Sequence, residues 1–397
     1  MLKENIREFI LKKSNEDEFY KNSYFYVYDS SDIKDKIKSI ESYIENNISL
    51  YYAMKANSQF DLMNYIKSKN IIKGFEIASV GEFNIAKELL PYEKIIYTGP
   101  AKREYELEVS IKNKIRFISV ESETELNRIN LLAEKLKVEK VDVLLRINPN
   151  FEIRGSLKTM GGKASKMGID EDKIFKILKH GFYLKHINII GFHVFAASGI
   201  IDYKYLIEYV EYIFKLVTSI ESEFQQEFKI IDFGGGIGVD YEGKGRKFDL
   251  KMFFCLLQEK IQGYNFNDKE FVLELGRYFV AESGYYVAQI VDIKESKGEK
   301  YVVLSGGVNH LRLIRKQPIS IISMNKPEVY KGQPKVDHEY VKIEGPLCFG
   351  EDIIDDNVFL DRAEIGDLLV VSDVGAYGYN VASLEFLHHS KPKEYFI

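Results

Sequence analysis

Tryptophan is absent from this sequence of 397 residues, cysteine occurs twice and proline eight times. Two cysteines, Cys255 and Cys348, cannot build a disulfide framework, so a small secreted scaffold is excluded and a reducing cytoplasm fits best. With 8 Pro, 28 Gly and 45% apolar residues the chain is neither a fibre nor a disordered low-complexity segment. Charge of one sign is missing too: 55 Lys plus Arg stand against 60 Asp plus Glu, a net of −5, with no basic block. Little is left to attract a phosphate backbone or an anionic lipid surface, which argues against nucleic acid and membrane as partners. No apolar run is long enough to cross a bilayer, and the N-terminal MLKENIREFILKKSNEDEF has no signal-peptide core. Its Leu2, Ile6, Phe9 and Ile10 fall instead on one helical face. What remains is a soluble globular chain suited to small molecules.

Eight runs rich in β-branched and aromatic residues recur between Tyr51 and Arg277, separated by charged stretches with helical spacing of apolar residues. They are SLYYAMKA ending near Lys55, GFEIAS at Ser79, KIIYTGP at Pro100, IRFISVES at Ser122, VDVLLRINP at Pro149, HINIIGFHVFA at Ala196, KIIDFGGG at Gly236 and FVLELGR at Arg277. Continuous apolar strands that alternate with helices select a parallel sheet, and eight such units close an α/β barrel of the (β/α)8, or TIM, type. After Arg277 the pattern changes to alternating strands such as YYVAQIVDIKE and KYVVLS, which indicates a second, antiparallel β domain. The expected layout is an N-terminal helix and strand over residues 1–30 that join the β domain, the barrel over 31–280 and the β domain over 281–397. RGSLKTMGGKASKMG, from Arg154 to Gly168, reads as a mobile loop above the barrel.

Active sites of such barrels lie at the C-terminal ends of the strands, so polar residues there are read first as functional. Lys55 directly follows YYAM at the first strand end; an amine partly withdrawn from water is a candidate Schiff-base nucleophile, against the plain alternative of a solvated lysine. Gly234, Gly235 and Gly236 follow the seventh strand, where backbone N–H groups can approach a phosphate, although a glycine run also makes an ordinary tight turn. The eighth strand supplies Glu274, Gly276 and Arg277: the guanidinium would complete a phosphate cradle and the carboxylate would face the heterocycle that carries it. His193 lies near the end of the sixth strand, where an imidazole could lie flat on a planar group, yet a lone histidine is more often structural. An amine, a phosphate cradle, a carboxylate and a flat imidazole together describe pyridoxal 5′-phosphate.

These motifs resemble the fold-type III pyridoxal-phosphate decarboxylases, the family of ornithine, diaminopimelate and biosynthetic arginine decarboxylases. YYAMKAN resembles its cofactor-lysine motif, and GFEIAS, TGPAK, VES, RINP, SKMG, HVFAASG, IDFGGG and ELGRY follow in family order. The resemblance implies Lys55 as the lysine bonded to the cofactor, His193 stacked on its ring, and Ser198, Gly234, Gly235, Gly236, Gly276 and Arg277 about its phosphate. It implies Glu274 at the pyridine nitrogen, which favours decarboxylation, since related racemases place an arginine there. GPLCFGED and GAYG resemble the segments that carry the general acid and a phosphate-touching tyrosine, so Cys348 is implied to work in the site of a partner subunit and Tyr377 to touch phosphate. A homodimer with shared active sites follows from that resemblance. Leu275, Ala197 and Gly199 depart from the family pattern beside the phosphate site.

In members that take basic amino acids the residue after the motif cysteine is acidic. Here it is Phe349, which cannot pair with a distal ammonium, although Glu351 or Asp352 could substitute. The usual Asp-Gly-Gly is Ser305-Gly306-Gly307, followed by VNHLRLIRKQ with His310, Arg312, Arg315 and Lys316, cations that suit a polycarboxylate or simply a solvated edge. YYAMKANS, GFEIAS, GGGIGV and the Arg-Leu pair at Arg312 resemble most the siderophore branch, which includes the staphyloferrin B type and acts on an amino acid already joined to citrate. The expected reaction is decarboxylation of citryl-ornithine, as on a rhizoferrin-like route, or of citryl-diaminopropionate, with Arg312, His310 and Phe349 meeting the substrate. The alternatives are a free basic amino acid, an aminoacyl group on an acyl-carrier protein, which SLEFLHH also resembles, or a non-catalytic cofactor carrier or pseudoenzyme. No metal is expected: His388 and His389 diverge on helix or strand, and EDIIDD lacks a binding-loop spacing.

Overall fold

Each continuous apolar run becomes a parallel strand, because a segment apolar at successive positions has no face to offer water. The structure, a computed structural model, describes residues 2–397 except 46, 160, 196, 326–329 and 331. It has two units: Asp35–Asp240 with Gly245–Tyr278, and Met1–Lys34 with Tyr241–Lys244 and Phe279–Ile397. The strand β1 (Tyr24–Tyr28) belongs to the second unit. The first contains β2 (Ile48–Ala53), β3 (Gly74–Ile77), β4 (Ile95–Tyr97), β5 (Phe117–Val120), β6 (Val141–Asn148), the short β7 (Lys158–Thr159) and β8 (Ile169–Asp170), β9 (Ile187–His193), the short β10 (Ala197–Ser198), β11 (Ile230–Asp232) and β12 (Glu270–Leu275). Strands run in the order β5-β4-β3-β2-β12-β11-β9-β6, and β6 pairs back onto β5 to close a parallel barrel of eight, as the sequence pattern leads one to expect.

The barrel interior is layered by the two-residue period of its strands. Tyr51, Ile96, Phe117, Leu144, Ile230 and Val272 meet in one buried apolar cluster across the barrel. Two positions further along stand Ala53, Thr98 (just past β4), Ser119, Arg146, Asp232 and Glu274, while Glu76 is the last residue but one of β3 and His193 the last of β9. An apolar layer therefore lies beneath a polar one. The helices that follow β3 and β5 start on side-chain caps, with Glu82 N–H donating to Ser79 Oγ and Glu125 N–H to Ser122 Oγ, both at 3.1 Å. The serines of GFEIAS and VES thus end a strand and begin a helix.

In the second unit, β13 (Gly284–Ser296), β14 (Glu299–Leu304), β15 (Ile319–Ile322), β16 (Lys335–Glu344), β17 (Ile353–Glu364) and β18 (Leu368–Ser372) form a sheet ordered β15-β18-β13-β14-β16-β17. The strand β1 adds to β13, and the C-terminal β19 (Lys393–Phe396) adds to β1. The sheet is mostly antiparallel, not wholly so as its alternation suggested: β14 runs parallel to β16 and β1 parallel to β19. Long connections make parallel neighbours feasible, as where β15 crosses away to β18 before the chain returns at β16. One face buries Phe25, Val27, Tyr285, Val287, Leu368 and Val370 at alternate positions, beneath Ile6 and Ile10 of the helix Glu4–Ser14.

Described parts of the segment from Arg154 to Gly168, read as a loop above the barrel, hydrogen-bond to barrel residues. Leu157 N–H donates to Ser198 O at 2.9 Å, Gly162 N–H to Asn148 Oδ1 at 3.1 Å and Gly168 N–H to Glu121 Oε2 at 2.6 Å. Met160 of that segment and Ala196, where the sixth run ends, lie outside the described residues.

Candidate active site

Lys55 sits in the single helical turn Met54–Ala56 that follows β2, its side chain about one-third exposed. Its Nζ lies 2.9 Å from Glu76 Oε1 and 3.8 Å from Glu274 Oε2. Thr98 Oγ1 donates to the same Glu76 oxygen. Gly276 lets the end of β12 approach this turn, since a Cβ there would stand 2.6 Å from Ala56 Cβ and 2.8 Å from Ala53 O. Gly276 thus packs closely against the turn that carries the lysine.

Glu274, Asp232 and His193 are all buried, and their donor atoms lie within 4.8 Å of one another. Burial first, then Asp232 and Glu76, holds the Glu274 carboxyl well above its ordinary range, and burial likewise raises Asp232. His193 is driven the other way, well below its ordinary value, by burial and by the nearby cations Arg146, Lys55 and Lys102. Its ring is therefore neutral near pH 7. His193 Nδ1 lies 2.7 Å from Ser119 Oγ, while Nε2 and Glu274 Oε1, 3.7 Å apart, lack hydrogen-bond partners among the described residues. Unmatched buried polar atoms beside Lys55 can be satisfied by a bound ligand.

The glycine run beside them is shaped as a cradle. Asp232 Oδ1 accepts from Gly234 N–H at 2.7 Å, which turns the chain back on itself after β11. Gly235 passes so near β12 that a Cβ would stand 2.2 Å from Glu274 O. Ser198 is half-buried on β10, and Arg277 is buried where the chain leaves β12. Gly199, one of the departures from the family pattern, adopts a φ of +79° that favours glycine. An amine, orphaned ring-facing atoms and a glycine cradle on neighbouring strand ends fit a planar heterocycle that bears an aldehyde and a phosphate.

The expected residues of the second unit occupy the loop between β16 and β17, the loop that starts at Ser305 and the turn at Tyr377 after β18. Cys348 is exposed between β16 and β17, with Phe349 46% exposed and its ring 6.0 Å from that of Phe386. Asp352, buried, accepts from Val308 N–H at 2.7 Å and Leu347 N–H at 2.8 Å, which staples the Cys348 loop to the loop that starts at Ser305. Gly307 and Gly345 make room for that carboxylate, since a Cβ would stand 2.0 Å and 2.3 Å from its oxygens. Arg312 is exposed, and its N–H donates to Gly378 O at 2.9 Å, which sets it next to the Tyr377 turn. Lys316 is held by Asp355 at 3.1 Å and Asp356 at 2.8 Å.

His310 does not stand where a substrate ligand would. It is wholly buried against Tyr24, ring centroids 4.1 Å apart, with Nδ1 3.2 Å from Tyr286 Oη and Nε2 3.0 Å from Asn309 Nδ2. Burial pushes its pKa down to about 4. An uncharged imidazole with both nitrogens engaged belongs to the domain core, and the expectation that it meets substrate is set aside on that ground.

Residues 30–281 match the family described as "Pyridoxal-dependent decarboxylase, pyridoxal binding domain". The chain belongs to that family. Over 376 residues, 93% of this chain and 92% of the relative, it is 30% identical to a 2-[(L-alanin-3-ylcarbamoyl)methyl]-2-hydroxybutanedioate decarboxylase of Staphylococcus aureus. It is also 30% identical, over 93% of this chain and 87% of the relative, to a decarboxylase of L-glutamyl-(BtrI acyl-carrier protein) from Niallia circulans. Among solved structures, diaminopimelate decarboxylase from Helicobacter pylori complexed with L-lysine superposes with a TM-score of 0.83 at 25% identity, covering 96% of this chain and 93% of that one. The protein is thus a pyridoxal-phosphate-dependent decarboxylase of amino-acid substrates, related to the siderophore branch. Among the described residues no helix is long and apolar enough to cross a membrane.

The decarboxylase's polar layer contains residues that reading the sequence for motifs passed over. Glu76, Thr98, Ser119, Arg146 and Asp232 all lie on strand ends already recognised. Thr98, Ser119, Arg146 and Asp232 each stand two positions beyond a residue of the buried apolar cluster, a period-two signal that could have found them.

Proposed function

We propose that this decarboxylase removes CO2 from an amino acid joined to citrate or a similar polycarboxylate, with citryl-diaminopropionate and citryl-ornithine as the leading substrates. The observation that carries the reading is the fate of the Asp352 carboxylate, which is buried with each oxygen accepting a backbone N–H and so serves to hold two loops together. Asp355 is likewise engaged, by Lys316. Glu351, the other acidic residue of this loop, is exposed, so the position after Cys348 offers Phe349 where a distal ammonium would need a buried anion, and such an ammonium left unpaired is costly. Arg312 and Arg315, by contrast, are exposed and have no ion-pair partner among the described residues. Guanidinium groups bind carboxylates in bidentate fashion, so this loop suits a substrate whose far end is anionic. The name of the S. aureus relative's substrate describes an alanine linked through C3 by an amide to a hydroxy-polycarboxylate, which supports the same class.

Bound pyridoxal phosphate supplies the electron sink for the pair left when the bond to CO2 breaks. Lys55 would carry the amine that holds its aldehyde, and Gly234, Gly235, Gly236, Ser198, Arg277 and Tyr377 would hold its phosphate. Glu274, a carboxyl that keeps its proton easily, would face the ring nitrogen, and His193 would lie against the ring. Cys348 of the partner subunit would return a proton to the α-carbon, which requires a homodimer with shared sites.

The test is CO2 release and product mass from purified enzyme given citryl-diaminopropionate, citryl-ornithine, free ornithine, free lysine and free diaminopimelate. Preference for a conjugate is expected; preference for a free diamino acid would remove the reading. The N. circulans relative, equal in identity, supports a second one in which the amino acid is tethered to an acyl-carrier protein. A carrier-bound aminoacyl substrate in the same panel separates the two.

A further inference from the structure

The barrel also buries a lysine, Lys102, outside the residues assigned to the cofactor. The Lys102 side chain is 1% exposed, and its Nζ donates to Gly99 O at 2.7 Å, Ser119 O at 2.6 Å and Glu125 Oε1 at 2.7 Å. All three ammonium protons are spent inside the protein, and Glu125 balances the charge. The other oxygen of Glu125 accepts from Glu121 N–H at 3.1 Å, so the pair also fixes the chain just past β5.

Ser119 is gripped by its carbonyl in this way, and its hydroxyl is what reaches the cofactor site. Ser119 is wholly buried, and among the described residues the one partner of its Oγ is His193 Nδ1, 2.7 Å away. Were Nδ1 the donor, the serine proton would be left in the barrel with no acceptor, at the cost of an unmade hydrogen bond. With the serine as donor that proton is satisfied, and the single proton of a neutral imidazole falls on Nε2, directed at Glu274 Oε1 3.7 Å away.

We infer that Ser119, anchored by Lys102, is a positioning residue that donates to His193 Nδ1 and thereby fixes the plane and the Nε2–H tautomer of the imidazole that lies against the cofactor. The inference rests on the assignment of His193 to the cofactor ring. Ser119 acts through His193, the one partner of its hydroxyl among the described residues.

The test measures the dissociation constant of pyridoxal phosphate by equilibrium dialysis for the wild type, Ser119→Ala, Ser119→Thr, His193→Ala and the double variant Ser119→Ala/His193→Ala. Ser119→Ala is expected to weaken binding about tenfold, the size of a buried acceptor losing its donor, and Ser119→Thr, which keeps the hydroxyl, to recover most of it. In the His193→Ala background the serine change is expected to add nothing, since the two act as one unit. If His193→Ala leaves affinity unchanged, its assignment to the ring fails and the inference falls with it. If His193→Ala weakens binding but Ser119→Ala does not, or if the two effects simply multiply, the inference alone is overturned. A lower melting temperature for Ser119→Ala with unaltered affinity counts as the same negative result.

Discussion

Each unit of this decarboxylase buries a histidine completely, and the two environments differ in one respect. His193, in the barrel, is matched at Nδ1 by Ser119, while its Nε2 faces a carboxyl group beyond hydrogen-bond reach. His310, in the β unit, has Tyr286 at one nitrogen and Asn309 at the other, with Tyr24 against its face. Burial lowers the pKa of both. Burial and charge state therefore do not distinguish these two histidines; the unmatched Nε2 of His193, beside a Glu274 carboxyl that itself lies 3.8 Å from Lys55, does.

The contrast between a barrel built for a ligand and a β unit built to hold loops can be broken at several points. The largest effect is expected at Lys55. Lys55→Ala removes the amine that bonds the cofactor, so incubation with pyridoxal phosphate should leave the protein without its visible absorbance and CO2 release should fall to background. Absorbance retained by this variant would contradict the assignment of the barrel site. Arg312→Gln comes next: the side chain is exposed, so stability should be unchanged, while the KM of a citrate-conjugated substrate rises by about 10–100-fold, the range for losing a hydrogen bond between charged groups. An equal rise for free diamino acids would show that the loop does not read the anionic end.

Asp352→Asn probes the staple in the β unit. An amide can accept one backbone N–H through its oxygen but turns an NH2 group toward the other, which should cost about 1–3 kcal/mol in chemical denaturation. A variant as stable as the wild type would mean the two loops are held by something else.

The smallest effect is a slope with pH. His310 binds its proton near pH 4 when folded and near 6.5 when unfolded, so between those values the unfolded chain holds more protons. The stability it contributes is complete above about pH 6.5 and declines as pH falls toward 4. From pH 6.5 to 5 the loss should be about 1–2 kcal/mol, and His310→Gln should flatten that part of the curve when thermal midpoints are measured across it. A slope unaffected by the substitution would assign it to other groups.

Much of the barrel was legible because its strands are apolar on both faces and its helices are charged, so the two periods separate cleanly. Lys55, Glu274 and the run from Gly234 to Gly236 were legible for a related reason: each interrupts or ends an apolar run where the fold puts its ligand. Ser119 and Thr98 were not, since a small hydroxyl residue at a strand end is unremarkable until its inward direction is known. His310 misled because it stands in a basic run, VNHLRLIRKQ, that looks solvated. Tyr24 and Tyr286, which cover it, come from other strands.

The amino-acid sequence alone determined the barrel, the change to a β unit after Arg277 and the chemical types gathered at the strand ends, because hydrophobic period and residue chemistry are local properties. Only the tertiary structure decided which carboxylates are free. Asp352 stands near Cys348 in the chain and reads as a candidate partner for an ammonium; in the fold it is consumed by the N–H groups of Val308 and Leu347. Whether a polar side chain serves a ligand or the protein depends on who else reaches it, and that is settled by contacts between residues far apart in sequence.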